Sequence, residues 1–252
     1  MPVAAYQWSL IWQNKELLGK GLLVALECAG PALVIAILIG LLLALARMAR
    51  PPLTWAATVY INIFRGVPAL VSVIWVYFGW SLLFGINFTV IQAAVIALVL
   101  LYSSFLAEIF RSALLAVPRG QREAGLALGM HPLRVFAQVV IPQATRIALP
   151  NVGSMLIGML KDTSTFSVIG LAELTYTVQN IESVTFQPFV LFTALAGVYV
   201  AAAFVIDFVF RTIEKSLTTP PRGLVSGALT RRRRRRLESL VERLETAVPV
   251  RS

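Results

Sequence analysis

The densest group of polar side chains within an apolar stretch of this chain is Lys161-Asp162-Thr163-Ser164, with one cation, one carboxylate and two hydroxyls in consecutive positions. Asp162 and Lys161 carry the charges to answer the ammonium and carboxylate of a small zwitterion, and Thr163 and Ser164 can add hydrogen bonds. The alternative is a Lys161–Asp162 pair that neutralises itself and ties one helix into a bundle. Glu108 is the second candidate. It lies in the apolar run 89–115 with Arg111 three residues on, a spacing that places both on one helix face. An isolated carboxylate at such depth is costly, so the two form either a structural pair or part of a gate. Catalytic chemistry has little to work with. One His, His131, and one Cys, Cys28, make no disulfide, no metal site and no Cys–His nucleophile. No Gly-x-x-x-x-Gly-Lys-Ser/Thr phosphate loop occurs, and no cofactor is expected.

These residues sit in an unusually apolar frame. Of 252 residues 58% are hydrophobic and 13% charged, and the mean hydropathy is +0.80, a composition that excludes a soluble domain and specifies an all-α polytopic membrane protein. About twenty apolar residues are needed to cross the hydrocarbon core, and the runs 22–46, 66–84, 89–115, 143–169 and 189–210 qualify. The segment 51–65, with Trp55, Tyr60 and Phe64 among polar residues, reads as a helix lying at the interface. Glu27, near the outer end of the first run, is placed to reach the headgroups. Pro150, Gly153, Ser154 and Gly158 make the fourth run kinkable, and Ser154 with Gly158 is a pair of small residues suited to close helix contact.

The net charge of +10 follows topology rather than nucleic acid. Arg47 and Arg50 follow the first run, Arg111, Arg119, Arg122 and Arg134 the third, and Arg211, Lys215, Arg222 and Arg231–Arg236 the fifth. The stretch after the second run has no Lys or Arg, and neither does 170–188, which holds Glu173 and Glu182. The positive-inside rule then puts the N-terminus outside and the C-terminus in the cytoplasm. The first twenty residues lack the apolar core and small-residue site of a cleaved signal peptide. Beyond the six arginines, Leu237, Leu240, Val241 and Leu244 fall at helical spacing, and the arginines themselves attract anionic membrane lipid at about a kcal/mol each.

Between the third and fourth runs lies Glu123-Ala124-Gly125-Leu126-Ala127-Leu128-Gly129, then nine residues, then Val139-Val140-Ile141-Pro142. Ala124, Gly125 and Ala127 leave one helix face nearly bare for close approach. Gly129 suits the left-handed residue that ends a helix and Pro132 the first position of the next, which predicts helix, tight turn, helix. Read without a precedent, the stretch is either a docking surface or an ordinary connector.

The pattern resembles the EAA loop of ABC-transporter permeases: Glu-Ala-Ala, three residues, Gly, nine residues, Ile-x-Leu-Pro. Gly125 replaces the third residue, and Val139 and Ile141 the Ile and Leu. Further motifs from about residue 21 to 215 resemble the polar amino acid branch. They are Phe64-Arg65-Gly66-Val67-Pro68, with Val67 where Thr is usual, Leu106-Ala107-Glu108-Ile109-Phe110-Arg111, Pro118-Arg119-Gly120-Gln121, and Leu160-Lys161-Asp162-Thr163-Ser164 followed by Val168-Ile169-Gly170-Leu171 and Glu173-Leu174.

The resemblance implies the type I importer permease fold with about five transmembrane helices, and a bacterial inner-membrane subunit that imports polar amino acids and is not itself an enzyme. It implies an ABC ATPase docked at Glu123, Ala124, Gly125 and Gly129, an extracytoplasmic solute-binding protein, and a second permease copy or paralogue. Glu108, Lys161, Asp162, Thr163 and Ser164 are the substrate-path candidates. The expected organisation is an extracytoplasmic segment 1–17, a permease domain 18–216 with the loop at about 116–142, and a basic cytoplasmic tail 217–252. The competing readings are a permease for another small polar solute, such as an opine or amino-acid derivative, a membrane-embedded enzyme, and a membrane scaffold. The enzyme lacks a His cluster, a Cys–His nucleophile and a paired acidic site, and a scaffold has no use for an ATPase dock.

Overall fold

A computed structural model describes residues 6–218. The chain divides into a unit of Met1–Arg211 and a second of Thr212–Ser252, of which only the end of the last helix is described. The arginine run and the amphipathic segment expected after it lie outside the described residues. In chain order the helices are α1 (Ser9–Gln13), α2 (Lys15–Arg47), α3 (Leu53–Gly66), α4 (Ala69–Phe84), α5 (Val90–Ala116), α6 (Arg119–Ala127), α7 (Pro132–Ile169), α8 (Leu174–Thr185) and α9 (Pro188–Thr218). No strand occurs among the described residues. Among the described residues three helices, α2, α5 and α9, are long and apolar enough to cross a membrane unbroken, and the bent pairs α3–α4 and α7–α8 pass together, which gives three candidate spans, or up to five if each bent pair is one span.

The centre of the bundle is the contact of α2 with α5. Along α2 the buried positions Ala25, Ala29, Ala32, Ala36, Gly40 and Ala44 recur at intervals of three and four, a stripe of minimal side chains. Lipid tails are as apolar as leucine, so packing between spans depends on close backbone approach, which small residues permit. At Gly40 a Cβ would lie 2.9 Å from the Leu106 Cβ. Ala93, Ala94, Ala97 and Leu98 of α5 answer from the other side. The start of α5 is set by Thr89, whose hydroxyl accepts from the Gln92 backbone N–H while the Gln92 side chain accepts from the Thr89 N–H.

Two expectations change. The second span begins at Ala69 rather than at 66, because a residue before proline is driven out of the helical region. Val67 has φ −95° and ψ 128°, and α3 and α4 are bent by 107° across Val67-Pro68. The segment expected at the interface is helical, as α3, yet it reaches the bundle interior. The Tyr60 hydroxyl meets Ser103 Oγ at 2.9 Å and donates to the Leu100 carbonyl at 3.3 Å, both at the middle of α5. Ile61 and Ala57 are buried. An aromatic residue with a polar tip serves an internal hydrogen bond as well as a headgroup, and composition does not tell the two apart.

Candidate functional site

The break between α3 and α4 places Arg65, Gly66, Val67, Pro68 and Ala69 against the middle of α5 and the far end of the regular part of α7. Together with Leu101, Tyr102, Phe105, Met155, Gly158 and Asp162 they line an open cavity of about 450 Å³. Two residues with a formal charge line it, Arg65 and Asp162. Asp162 accepts a hydrogen bond from the Tyr102 hydroxyl at 2.9 Å. The route of that bond explains Gly158, one helical turn before Asp162 on the same face. A Cβ there would lie 2.7 Å from the Tyr102 oxygen. The guanidinium of Arg65 stands 5.4 Å from the centre of the Phe105 ring, a cation–π arrangement. Among the described residues neither charge has an ionic partner.

Of the sequence candidates, Asp162 alone lines this cavity. Thr163 is buried and donates its hydroxyl to the Leu160 carbonyl at 2.7 Å, and Ser164 donates to the Lys161 carbonyl at 2.6 Å, so both are engaged with the 3₁₀ turn that closes α7. Lys161 is exposed and is not paired with Asp162, which removes the internal bridge weighed above. Glu108 lies apart from the cavity. It accepts from Arg111 Nε and Nη2 at 3.1 and 3.0 Å and is also paired with Arg47 of α2, so the Glu108–Arg111 pair is present and is enlarged to three members. Ser154 is exposed, with its hydroxyl on the Pro150 carbonyl, while Gly158 makes room for Tyr102. The two small residues therefore serve different neighbours.

Arg65 and Tyr102 are the residues that reading the sequence for charge clusters passes over. Arg65 lies in a motif already noted, and its signal is the Gly-Val-Pro that follows, which breaks the span and leaves Arg65, still exposed, on the cavity wall. Glu173 is a third. It begins α8, is fully buried, and accepts from the Thr175 and Tyr176 N–H groups at 2.8 Å and from the Tyr199 hydroxyl at 2.7 Å. Its carboxylate is thus the N-cap of a helix where the sequence showed only a stretch with two glutamates and no Lys or Arg.

The stretch between α5 and α7 has the predicted form of helix, turn, helix. Gly129 has φ +76°, and the N–H groups of Gly129 and Met130 bond the Leu126 and Gly125 carbonyls at 2.9 and 3.2 Å. This double closure with a left-handed residue is the Schellman arrangement. His131 caps the following turn and Pro132 occupies its first position. Gly125 is buried, and its missing Cβ would lie 2.9 Å from a Val135 methyl, so the bare position serves the packing of the motif on itself. Glu123 and Ala124 are exposed, as are Leu128, at 82%, and Leu133, at 72%.

Residues 36–219 match the family described as binding-protein-dependent transport system inner membrane component. The glutamine transport system permease protein GlnP of Escherichia coli (strain K12) is 35% identical over 217 residues, covering 84% of this chain and 98% of its own. The L-cystine transport system permease protein TcyB of Bacillus subtilis (strain 168) is 32% identical over 216 residues, 84% and 92% of the two chains. Among solved structures, a crystal structure of an amino acid ABC transporter with histidines superposes with a TM-score of 0.78 at 34% identity, over 83% of this chain and 98% of that one.

Proposed function

The chain belongs to the inner-membrane components of binding-protein-dependent transport systems, and from that premise we propose that it is the amino-acid permease whose own substrate site is the Arg65–Asp162 cavity. Permeases of this kind are transport subunits and not enzymes, and ATP hydrolysis belongs to a separate ATPase. The observation that carries the site is the pair of opposite charges on one cavity wall, each without an ionic partner among the described residues. Asp162 is half-buried and Arg65 exposed, and charged groups set in a membrane bundle face partners or a solute path. An amino acid supplies both missing partners at once: its carboxylate is held by Arg65, whose planar fork suits two parallel hydrogen bonds, and its ammonium by Asp162, which Tyr102 orients. The cavity is not closed by this chain alone, which fits a second permease copy across it.

The opposite function, coupling to ATP, falls to the loop. Glu123, Ala124, Leu128 and Leu133 form an exposed, partly apolar surface on a rigid turn, with Arg119, Arg122 and Arg134 around it. An ATPase subunit docks there in this reading, with Gly125 and Gly129 holding the motif's shape, so that closure of the ATPases moves α6 and through it the spans. The loop side is cytoplasmic and the N-terminus outside, on the charge asymmetry of the connecting segments.

The test of the site is reconstitution of Arg65→Ala and Asp162→Asn with the ATPase and the binding protein. Each removes one charge-assisted contact, of about 1.5–3 kcal/mol, so transport at limiting substrate falls by about tenfold or more. Because no Lys161–Asp162 bridge exists, both variants keep the wild-type melting temperature. Normal transport by either removes the cavity from the pathway.

A further inference from the structure

We infer that the cavity accepts amino acids with uncharged side chains and discriminates against arginine, lysine, aspartate and glutamate. The inference rests on the site reading above and adds to it the class of substrate. Formal charge on the wall is limited to one guanidinium and one carboxylate, and both are taken by the α-carboxylate and α-ammonium of any amino acid. The remaining contacts offered to a side chain come from Val67, Pro68, Leu101, Phe105 and Met155, none with a charge. A cationic side chain would find no second carboxylate. An anionic one would find no second cation on this chain's wall, since Lys161 is not part of it and Arg111 is held by Glu108 at another place.

Val67 sharpens the selection. It stands where the related motif carries a threonine, so a methyl replaces a hydroxyl on the wall, and the Tyr102 hydroxyl is already committed to Asp162. An uncompensated charge held against such an apolar wall is penalised far more than a missing methylene, and discrimination by charge is therefore steeper than discrimination by size.

The experiment measures binding of radiolabelled alanine, methionine, glutamine, lysine, arginine, aspartate and glutamate to the permease–ATPase complex in nanodiscs. The binding protein is left out so that its own selectivity does not filter the panel. At least one neutral amino acid binds, and the four charged ones bind at least tenfold more weakly than it. In Met155→Glu, which places a second carboxylate on the wall, lysine and arginine gain at least tenfold relative to the neutral ligands. Arginine or glutamate binding to the wild type as tightly as the best neutral ligand overturns the inference while leaving the site intact, provided Arg65→Ala abolishes binding of the whole panel. If Arg65→Ala and Asp162→Asn leave binding unchanged, or if none of the seven binds the wild type, the site itself fails and the inference with it.

Discussion

Gly158, Tyr102 and Asp162 form a chain of dependence in which each residue has meaning only through the next. The carboxylate is oriented by a phenol from another span, and the phenol arrives only because position 158 has no side chain. Gly158→Ala therefore displaces Tyr102 from Asp162. Overpacking of this kind costs about 1–3 kcal/mol, to be read as a lower melting temperature, and substrate affinity falls with it. If both are unchanged, the close approach has no consequence. Glu108 makes a contrasting prediction. It holds two guanidiniums from different spans, so Glu108→Gln leaves Arg47 and Arg111 facing each other. The group is partly solvated, and the loss is about 1–3 kcal/mol, below the 3–5 seen when fully buried pairs are broken. Substrate affinity stays normal in folded protein, which distinguishes this cluster from the cavity. Asp162 was legible as a candidate from sequence because charge in an apolar run is conspicuous. Its true partner was not, since a tyrosine sixty positions away carries no mark of where its hydroxyl points.

At the scale of elements, the loop α6–α7 was legible almost to the residue. Its turn is closed by local bonds within six positions, and a left-handed glycine followed by a capped proline turn is written in consecutive letters. Gly129→Val puts a β-branched residue at φ +76°, a strain of about 1–2 kcal/mol that opens the turn. The expected outcome is intact membrane insertion with weakened co-purification of the ATPase. Leu128→Asp tests the surface without the strain. Position 128 is exposed, so the melting temperature holds while ATPase association falls by at least tenfold. Retained association in both would move the dock elsewhere. The helix α8 lay hidden for the opposite reason, because its N-cap is a glutamate whose burial is completed by Tyr199 of α9, outside any local window.

For the whole molecule the decisive test is orientation. Cys28 is fully buried among alanines, so Cys28→Ala gives a silent background where Cys28→Ser would bury a hydroxyl without assurance of a partner. In that background Ser183→Cys, on the exposed surface of α8, reacts with a membrane-impermeant thiol reagent in intact cells. Gln121→Cys, exposed on α6, reacts only after permeabilisation. The reverse pattern would invert the proposed topology and place the ATPase dock on the wrong side.

What the sequence by itself determined is whatever depends on nearest neighbours or on composition. The candidate spans follow from the length of apolar runs, the loop from its turn residues, and the family from the spacing of its motifs. Tertiary structure alone decided which charges meet. Lys161 and Asp162 are adjacent in sequence and unpaired in space, while Arg47 and Glu108 lie sixty-one positions apart and are paired. Adjacent helical residues point about a hundred degrees apart, so adjacency does not produce contact. The cavity arises because a proline-driven break in one span sets Arg65 on the same wall where a glycine on another span lets a tyrosine reach Asp162. Each of those local features is readable. Their coincidence at one depth depends on how the alanine and glycine stripe of α2 seats against α5, and that is a property of the packed bundle.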